Sequence, residues 1–395
     1  MKTLNDFNFS NKKALIRVDF NVPLNENFEV TDDTRIVAAK PTIDAILAQG
    51  GSVVLMSHLG RPKAKGDDKN SLRHVVGKAS EILGLPVTFV TDCIGDDVRA
   101  VVSKMKAGDV VLLENLRYYP EEEAGDVEFS KKLSEWGDIY VNDAFGTAHR
   151  AHASTTIVAQ FFKDKACFGK LMEKELASIA KVLKTPERPV VAILGGSKVS
   201  SKIGIIENIL DKIDHLIIGG GMTYTFIKAK GGKVGDSICE NDRMELALQI
   251  LDKAEKMGVK VHLPLDILAA DSFSNDAKTQ IVPVDEIPDG WQGLDIGPKT
   301  EIAFSFIIMQ SKTILWNGPV GVFEMPKFAK GTIEMGNAIA DATEDGAFSL
   351  VGGGDSVSAV KQFGFENKVS YVSTGGGAML EMLEGQTLPG VAAIV

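Results

Sequence analysis

Two doubly wound parallel-sheet α/β domains of similar size, joined by a hinge helix, are what this sequence predicts. Three observations carry that reading. Short apolar runs alternate with helix-like stretches from end to end, the pattern of parallel sheets covered by helices on both faces. Several of the runs stop at glycine clusters, as buried parallel strands do where they turn. The chain has 395 residues, more than one hydrophobic core usually holds.

The elements follow in order. In the first half the strand candidates are ALIRVDF, SVVLMS, VTFV, VVLLE and DIYVND, and six strand-to-turn units are expected. Between the first two runs lies TRIVAAKPTIDAILAQG, where Ile36, Ala39, Ile43, Ile46 and Leu47 recur at helical spacing and Gly50 ends the pattern. The second half offers PVVAIL, HLIIG, VKVHLP, TILWN, FSLVG and SYVST. The boundary is placed at KLMEKELASIAKVLKTPERPVVAIL, where a charged helix from about Glu173 to Leu183 ends before Pro186 and Pro189. This gives a first domain over 1–172, a linker helix over 173–185 and a second domain over 186–388.

The formal net charge of −10 argues against bulk binding of nucleic acid or anionic membrane, which needs a basic surface. An acidic protein that binds anions must do so in a local basic pocket. Cys93, Cys167 and Cys239 form no CxxC pair and no metal-ligand spacing, which suits a reducing compartment. The N-terminal MKTLNDFNFS lacks an apolar signal core, and no stretch approaches the ~18–20 apolar residues that span a bilayer. A cytoplasmic location is expected.

In open α/β sheets ligands sit beyond the carboxyl ends of the strands, so the turns that follow the strands carry the chemistry. In the first half these are RVDFNVP, SHLGRP (with His58, Leu59, Gly60 and Arg61), ENLR and NDAFGTAHRAH, and Arg35 opens the helix after the first strand. Arg35, Arg61, Arg117 and Arg150 are expected to converge with His58, and with His149 or His152, on one basic site. Guanidinium groups fork onto phosphate and carboxylate oxygens, so this site suits a small, multiply charged acid. Asp19 and Asn21 offer partners for a hydroxyl. His74, His215 and His262 stand apart from such turns and read as structural.

In the second half the turns are glycine-rich and carry few charges. They are LGGSKVSSK (with Gly195), IGGGMTY (Gly219, Gly220), LPLD, GLDIGP (Gly293), WNGPVGVFE (Asn317, Pro319), VGGGDS (Gly353, Gly354) and STGGGA (Gly375, Gly376). Glycine lets the backbone approach a ligand and point N–H groups at it, and a following helix N-terminus adds partial positive charge. Lys198 and Lys202 lie four apart and share a face if the segment after Gly196 is helical. Asp355 is a candidate for Mg²⁺ held through carboxylate and water, and Glu324 for ribose hydroxyls. There is no GxxxxGK[ST] loop, no GxGxxG fingerprint and no HRD or DFG motif.

Taken in order, RVDFNVP, SHLGRP, LLENLR, VNDAFGTAHRAH, LGGSKVSSK, IGGGM, GLDIGP, WNGPVGVFE, GGGDS and STGGGA closely resemble the phosphoglycerate kinase family, from about Leu15 to Pro389. The resemblance implies two Rossmann-like domains around a cleft, a monomer, and reversible phosphoryl transfer between 1,3-bisphosphoglycerate and ADP, giving 3-phosphoglycerate and ATP, with Mg²⁺. Carried over by motif, Asp19, Asn21, Arg35, His58, Arg61, Arg117 and Arg150 fall in the acid site. Lys198, Lys202, Asn317, Glu324, Asp355 and Ser356, with the glycine turns, fall in the nucleotide site. Residues 389–395 are implied to return to the first domain. Ser197 and Thr223-Tyr224 depart from the alanine and Ala-Phe of many members. YYPEEEAGDVEFSKKL, shorter than in some members, reads as a surface loop and helix.

Chemically, an ionised carboxylate or phosphate oxygen attacks without a general base, so alignment and charge neutralisation do the work. Arg35 and Lys198 are expected to flank the transferring group in a closed interdomain cleft. Lys202 and the N–H groups near Gly375 and Gly376 and near Gly353 and Gly354 complete a cradle. Two other readings stand beside this one. A metabolite-sensing module on the same fold would be free to lose Arg35, Lys198 or Asp355. A dehydrogenase would need the absent GxGxxG.

Overall fold

Six apolar runs in the first 170 residues become strands: β1 (Lys13–Val18), β2 (Ser52–Met56), β3 (Val87–Val90), β4 (Val110–Leu113), β5 (Ile139–Asp143) and β6 (Ala166–Phe168). The computed structural model of the chain describes residues 1–395. The sheet order is β3-β4-β2-β1-β5-β6 and every pairing is parallel. β2, β4 and β5 are buried along their whole length, because helices cover both faces. That is why they read as continuous apolar runs instead of alternating ones. Helix Thr34–Ala48 turns Ile36, Ala39, Ile43 and Ile46 into this core. The strand missing from the expected set is β6, only three residues at the sheet edge.

On one side of β1 the chain adds β2, then the edge strand β3, then β4 between them; on the other side it adds β5 and β6. The order reverses beside β1, and a crevice opens beyond the carboxyl ends of the strands at such a reversal. Thr387–Val395 belongs with Met1–Ala177 in one compact unit. There the Gly390 N–H donates to the Ala148 carbonyl at 2.8 Å.

The second unit is Ser178–Gln386. Its strands are β7 (Val190–Leu194), β8 (His215–Ile218), β9 (Lys233–Val234), β10 (Lys260–His262), β11 (Asp266–Ala270), β12 (Thr279–Pro283), β13 (Glu286–Ile287), β14 (Gln292–Ile296), β15 (Thr313–Asn317), β16 (Phe348–Val351) and β17 (Tyr371–Val372). The six strands named from the sequence form the main sheet, ordered β10-β8-β7-β15-β16-β17 and all parallel. Its core gathers Val191, Ile193, Ile314, Trp316, Met335 and Ile339. An unexpected feature is an antiparallel three-stranded sheet, β12-β11-β14, with a small β9-β13 pair beside it in sequence. β12 alternates exposed and half-buried residues, as a strand covered on one face does.

Helix Lys170–Leu183 starts ahead of the expected Glu173, and the division between the units falls inside it, at Ala177/Ser178. Its start is held by helix Thr34–Ala48 and by the end of β5. The Lys170 N–H donates to Thr42 Oγ1 at 2.8 Å, and Asp143 Oδ1 accepts from the N–H groups of Leu171 (3.0 Å) and Met172 (3.3 Å). Burial pushes the Asp143 carboxyl up to about 7. YYPEEEAGDVEFSKKL forms two short helices, Pro120–Ala124 and Val127–Ser134, but it is not wholly a surface segment, because Glu122 is fully buried.

Buried Asp266 organises the junction between β11 and helix Pro298–Met309. Its carboxylate accepts from the N–H groups of Lys299 (3.2 Å) and Thr300 (2.9 Å). Thr300 Oγ1 in turn accepts from the N–H groups of Leu265 (2.9 Å) and Asp266 (3.0 Å). Asp266→Ala is expected to destabilise the protein by about 2 kcal/mol, a lost helix cap plus a buried N–H left without an acceptor. A urea midpoint equal to that of wild type would refute this.

Candidate active site

The predicted acid-binding residues follow the carboxyl ends of strands in the first sheet, except Arg35, which stands in the first turn of helix Thr34–Ala48. Asp19 and Asn21 follow β1, His58 to Arg61 follow β2, Arg117 follows β4 and Arg150 follows β5. Arg35 Nη1 pairs with Asp19 Oδ2 at 3.1 Å and donates to the Asn21 carbonyl at 2.9 Å. Asn21 Oδ1 accepts from the Gly60 N–H at 2.8 Å, and the Gly60 carbonyl accepts from Arg117 Nη1 at 3.1 Å. These bonds link the turns after β1, β2 and β4. Gly60 has φ +61° and a side chain there would strike Asn70 Oδ1, 2.0 Å from an ideal Cβ, so only glycine fits.

His58 is buried with Nδ1 3.0 Å from Arg17 Nη2. Burial holds its pKa well below the ordinary histidine range, helped by the charges of Arg17, Arg117 and Arg35. His152 is brought down to about 4 by burial and then by Arg117 and Arg17. Arg117 is lowered by burial, against the opposing pull of Glu123, whose Oε1 lies 3.2 Å from Arg117 Nε. His58 thus feels the charges of Arg17, Arg117, Arg35 and His152, and Arg150 is felt by both Arg117 and His152. Arg150 is exposed, with Nε donating to His149 Nε2 at 3.2 Å. Arg61 is also exposed, with no bond joining it to the group. Leu59 is buried, and its carbonyl accepts from Asn115 Nδ2 at 2.7 Å.

Three participants were not singled out from the sequence. Arg17 is fully buried and donates from Nε to Ser154 Oγ at 2.8 Å, and Ser154 Oγ donates to buried Glu122 at 2.5 Å. The available signal was an arginine inside the apolar run ALIRVDF. A charge buried in a strand must find a partner.

Most of the second group lies at the carboxyl ends of the main-sheet strands of the other unit, but Gly293 is not in a turn: it sits inside β14 of the antiparallel sheet, paired with Ala269. A cavity of about 450 Å³ there is lined by Gly220, Gly293, Pro319, Glu324 and Asp355 among the predicted residues. A wider cleft of about 1060 Å³ lies elsewhere, at Lys230–Lys233 and Val284–Asp289, and carries none of them. The smaller one is the candidate, because the glycine turns surround it. An ideal Cβ on Gly195 would lie 2.0 Å from the Pro319 carbonyl oxygen, and on Gly220 2.8 Å from the Gly196 nitrogen. The turns after β7, β8 and β15 therefore stack backbone on backbone. Gly219 instead faces Val320, 2.5 Å from an ideal Cβ, and serves packing.

Lys202 Nζ donates to Asn317 Oδ1 at 2.5 Å, and burial lowers its pKa. Asn317 Nδ2 donates to the Gly352 carbonyl at 2.7 Å, and Ser356 Oγ accepts from the Gly318 N–H at 2.6 Å. Both side chains hold turns in place. Lys198 and Lys202 do not share a helical face, since the helix begins only at Ile203. Gly196, at φ +114°, turns the chain. Glu240 then holds the loop by accepting from the Ser200 N–H (3.0 Å) and Oγ (2.5 Å). Lys198 is left exposed. Gly353 and Gly376 stand at the N-caps of helices Gly354–Phe363 and Gly377–Leu383, and the Gly375 N–H donates to Ser373 Oγ at 3.1 Å.

Asp355 is exposed in the first turn of helix Gly354–Phe363. No group of three or more His, Cys, Asp or Glu side chains gathers into a metal site. A divalent ion at Asp355 would therefore rely on one carboxylate completed by phosphate oxygens and water, a donor set that fits Mg²⁺. Among the remaining histidines, His215 Nδ1 and His262 Nε2 meet at 3.0 Å, and His74 stacks on Phe28.

The sequence profile of the family described as phosphoglycerate kinase matches residues 4–386. The phosphoglycerate kinase of Porphyromonas gingivalis is 54% identical, with 99% of each chain covered. That of Chloroherpeton thalassium is 52% identical, over all of this chain and 98% of its own. Among solved structures, phosphoglycerate kinase from Coxiella burnetii is similar at a TM-score of 0.90 and 40% identity, covering 99% of this chain and 98% of that one. The Pyrococcus horikoshii enzyme gives a TM-score of 0.83 at 32% identity, covering 100% and 98%.

The depressed histidines have a consequence for stability. An unfolded histidine takes up a proton near pH 6.5, whereas His152 in the fold does so at about 4. Between these values the unfolded chain binds more protons, so stability falls as pH drops. In His152→Gln the loss of stability between pH 7 and pH 5, read from urea midpoints, is expected to be smaller than in wild type. Equal losses would refute the assignment.

Proposed function

The chain belongs to the phosphoglycerate kinase family, and we propose how its own residues carry out the reversible transfer of a phosphoryl group between 1,3-bisphosphoglycerate with ADP and 3-phosphoglycerate with ATP. The observation that supports the assignment of sites is a cluster of guanidinium groups with two histidines held neutral by burial, in a protein of net charge −10. Only a small polyanion matches such a concentration of positive charge. Arg35, Arg61, Arg117 and Arg150 bind the phosphate and carboxylate of the glycerate, His58 with the Leu59–Gly60 turn adds a further contact, and Asp19 and Asn21 take its hydroxyl. The glycine turns of the second unit, with Lys198, Lys202, Glu324 and Asp355, bind ADP or ATP.

The attacking oxygen is already ionised at neutral pH, so no general base is required. Arg35 and Lys198 flank the transferring group and offset its developing charge. Lys202 and the N–H groups near Gly375 and Gly376 hold its oxygens. Asp355, together with the nucleotide phosphates, would hold Mg²⁺, which when bound would supply further neutralisation of phosphate charge. The two sets of residues lie on different units, so we also propose that the units close during turnover and exclude water. The proposal includes a monomer, as the family resemblance implies, and a cytoplasmic location, which three free cysteines suit.

A coupled assay tests the reading. ADP should appear only when ATP, Mg²⁺ and 3-phosphoglycerate are all present. Arg35→Ala or Lys198→Ala should lower kcat by ~10²-fold or more, the scale of losing one preorganised donor; a variant with wild-type kcat would remove that residue from the mechanism. In solution scattering, the protein with both substrates should be more compact than the free protein, and an unchanged profile would count against closure.

A further inference from the structure

We propose that Arg17 is a positioning residue that fixes His58 as the neutral Nε2–H tautomer, with Glu122 as its buried counter-charge acting through Ser154. This rests on the reading of His58 as a contact of the acid substrate. Arg17 is fully buried, and all three of its nitrogens are engaged within the protein. Nε donates to Ser154 Oγ at 2.8 Å, Nη1 to the Val18 carbonyl, and Nη2 lies 3.0 Å from His58 Nδ1. A guanidinium stays charged and can only donate. Nδ1 must therefore accept, and the ring proton must sit on Nε2. A protonated imidazole would place a second donor and a second cation against Nη2. The other charges felt by His58 come from Arg117, Arg35 and His152, all cationic when charged, and none of them would relieve that clash.

The guanidinium is in turn fixed by a polar chain with no slack. Ser154 Oγ accepts from Arg17, so its single hydrogen goes to Glu122 Oε1 at 2.5 Å, while the Ser154 N–H donates to Glu122 Oε2 at 3.0 Å. Both carboxylate oxygens are thus occupied, and Glu122 is fully buried. A buried cation needs such a counter-charge, and removing one partner strands the other. His58 then offers an N–H to an acid oxygen without itself changing charge.

The test uses the full-length ¹⁵N-labelled protein without substrates, with His58 signals assigned by their loss in His58→Gln. Long-range ¹H–¹⁵N correlation from pH 5 to 8 should show a protonated Nε2 and a bare Nδ1 throughout. A proton on Nδ1, or titration near the ordinary pH of 6.5, would overturn the proposal. In Arg17→Lys or Glu122→Gln the His58 signals should move toward mixed tautomers, and unchanged signals in a folded variant would also overturn it. KM for 3-phosphoglycerate should rise about tenfold or more in those variants, the scale of a hydrogen bond to a charged group, with KM for ATP unchanged. Shifted signals with an unchanged KM for 3-phosphoglycerate would uphold the tautomer assignment and remove His58 from the acid site. Should the variants fail to fold, the wild-type spectrum alone decides.

Discussion

Keeping several cations together around one point is the constraint on which the first unit depends. Two unit charges ~8 Å apart at an effective dielectric of about 20 repel by about 2 kcal/mol. A cluster of Arg17, Arg35, Arg117 and Arg150 accumulates several such terms, and the free protein must hold them without its ligand. It does so with a few specific anions. Asp19 pairs with Arg35 and Glu123 with Arg117, while Glu122 sits behind Arg17 at the far end of a serine relay. The remaining pressure is lowered by keeping both histidines neutral. The excess positive charge is what the proposed acid substrate would meet.

The second unit meets a different problem. A nucleotide carries its charge on a flexible phosphate chain and enters with a cation of its own, so a wall of fixed charges is not needed. In the nucleotide site proposed for the second unit, close backbone approach would take that place. Gly195, Gly220 and the Gly318–Pro319 turn pack main chain against main chain, which no side-chain-bearing residue would allow. Asn317 and Ser356 lock the turns to Gly352 and Gly318. Their polar atoms therefore shape the rim more than they touch a ligand.

How much of this was legible follows from burial. Strands covered on both faces advertise themselves as unbroken apolar runs, and all six of the main sheet in the second unit were named. β6 was too short to register, β12 is half-exposed, and β11 and β14, though buried, run through LPLD and GLDIGP, whose Asp, Gly and Pro read as turns. Lys198 and Lys202 were given a shared helical face because spacing is visible in sequence and the turn at Gly196 is not. Glu122 was the hardest to find. Within PEEEAG it looks like one of three solvated acids, and only the fold shows that its neighbours face water while it meets Ser154.

Counting donors separates residues that position from residues that bind. Arg17 gives one hydrogen from each of its three nitrogens to protein atoms, and full burial keeps its two remaining N–H groups away from a ligand. Arg35 engages Nη1 alone, with Asp19 and the Asn21 carbonyl, and its side chain is 38% exposed. Its Nε and Nη2 remain able to fork onto anionic oxygens. Lys202 gives one hydrogen to Asn317 and keeps two; exposed Lys198 keeps all three. In each unit the buried groups bonded to the protein itself, Arg17 with Glu122 and Asn317 with Ser356, form a rigid backing. The partly engaged cations stand in front of it. A charge held in place before the substrate arrives needs little reorganisation when the transferring group passes, and that is the condition under which fixed charges accelerate a reaction rather than merely bind its reactants.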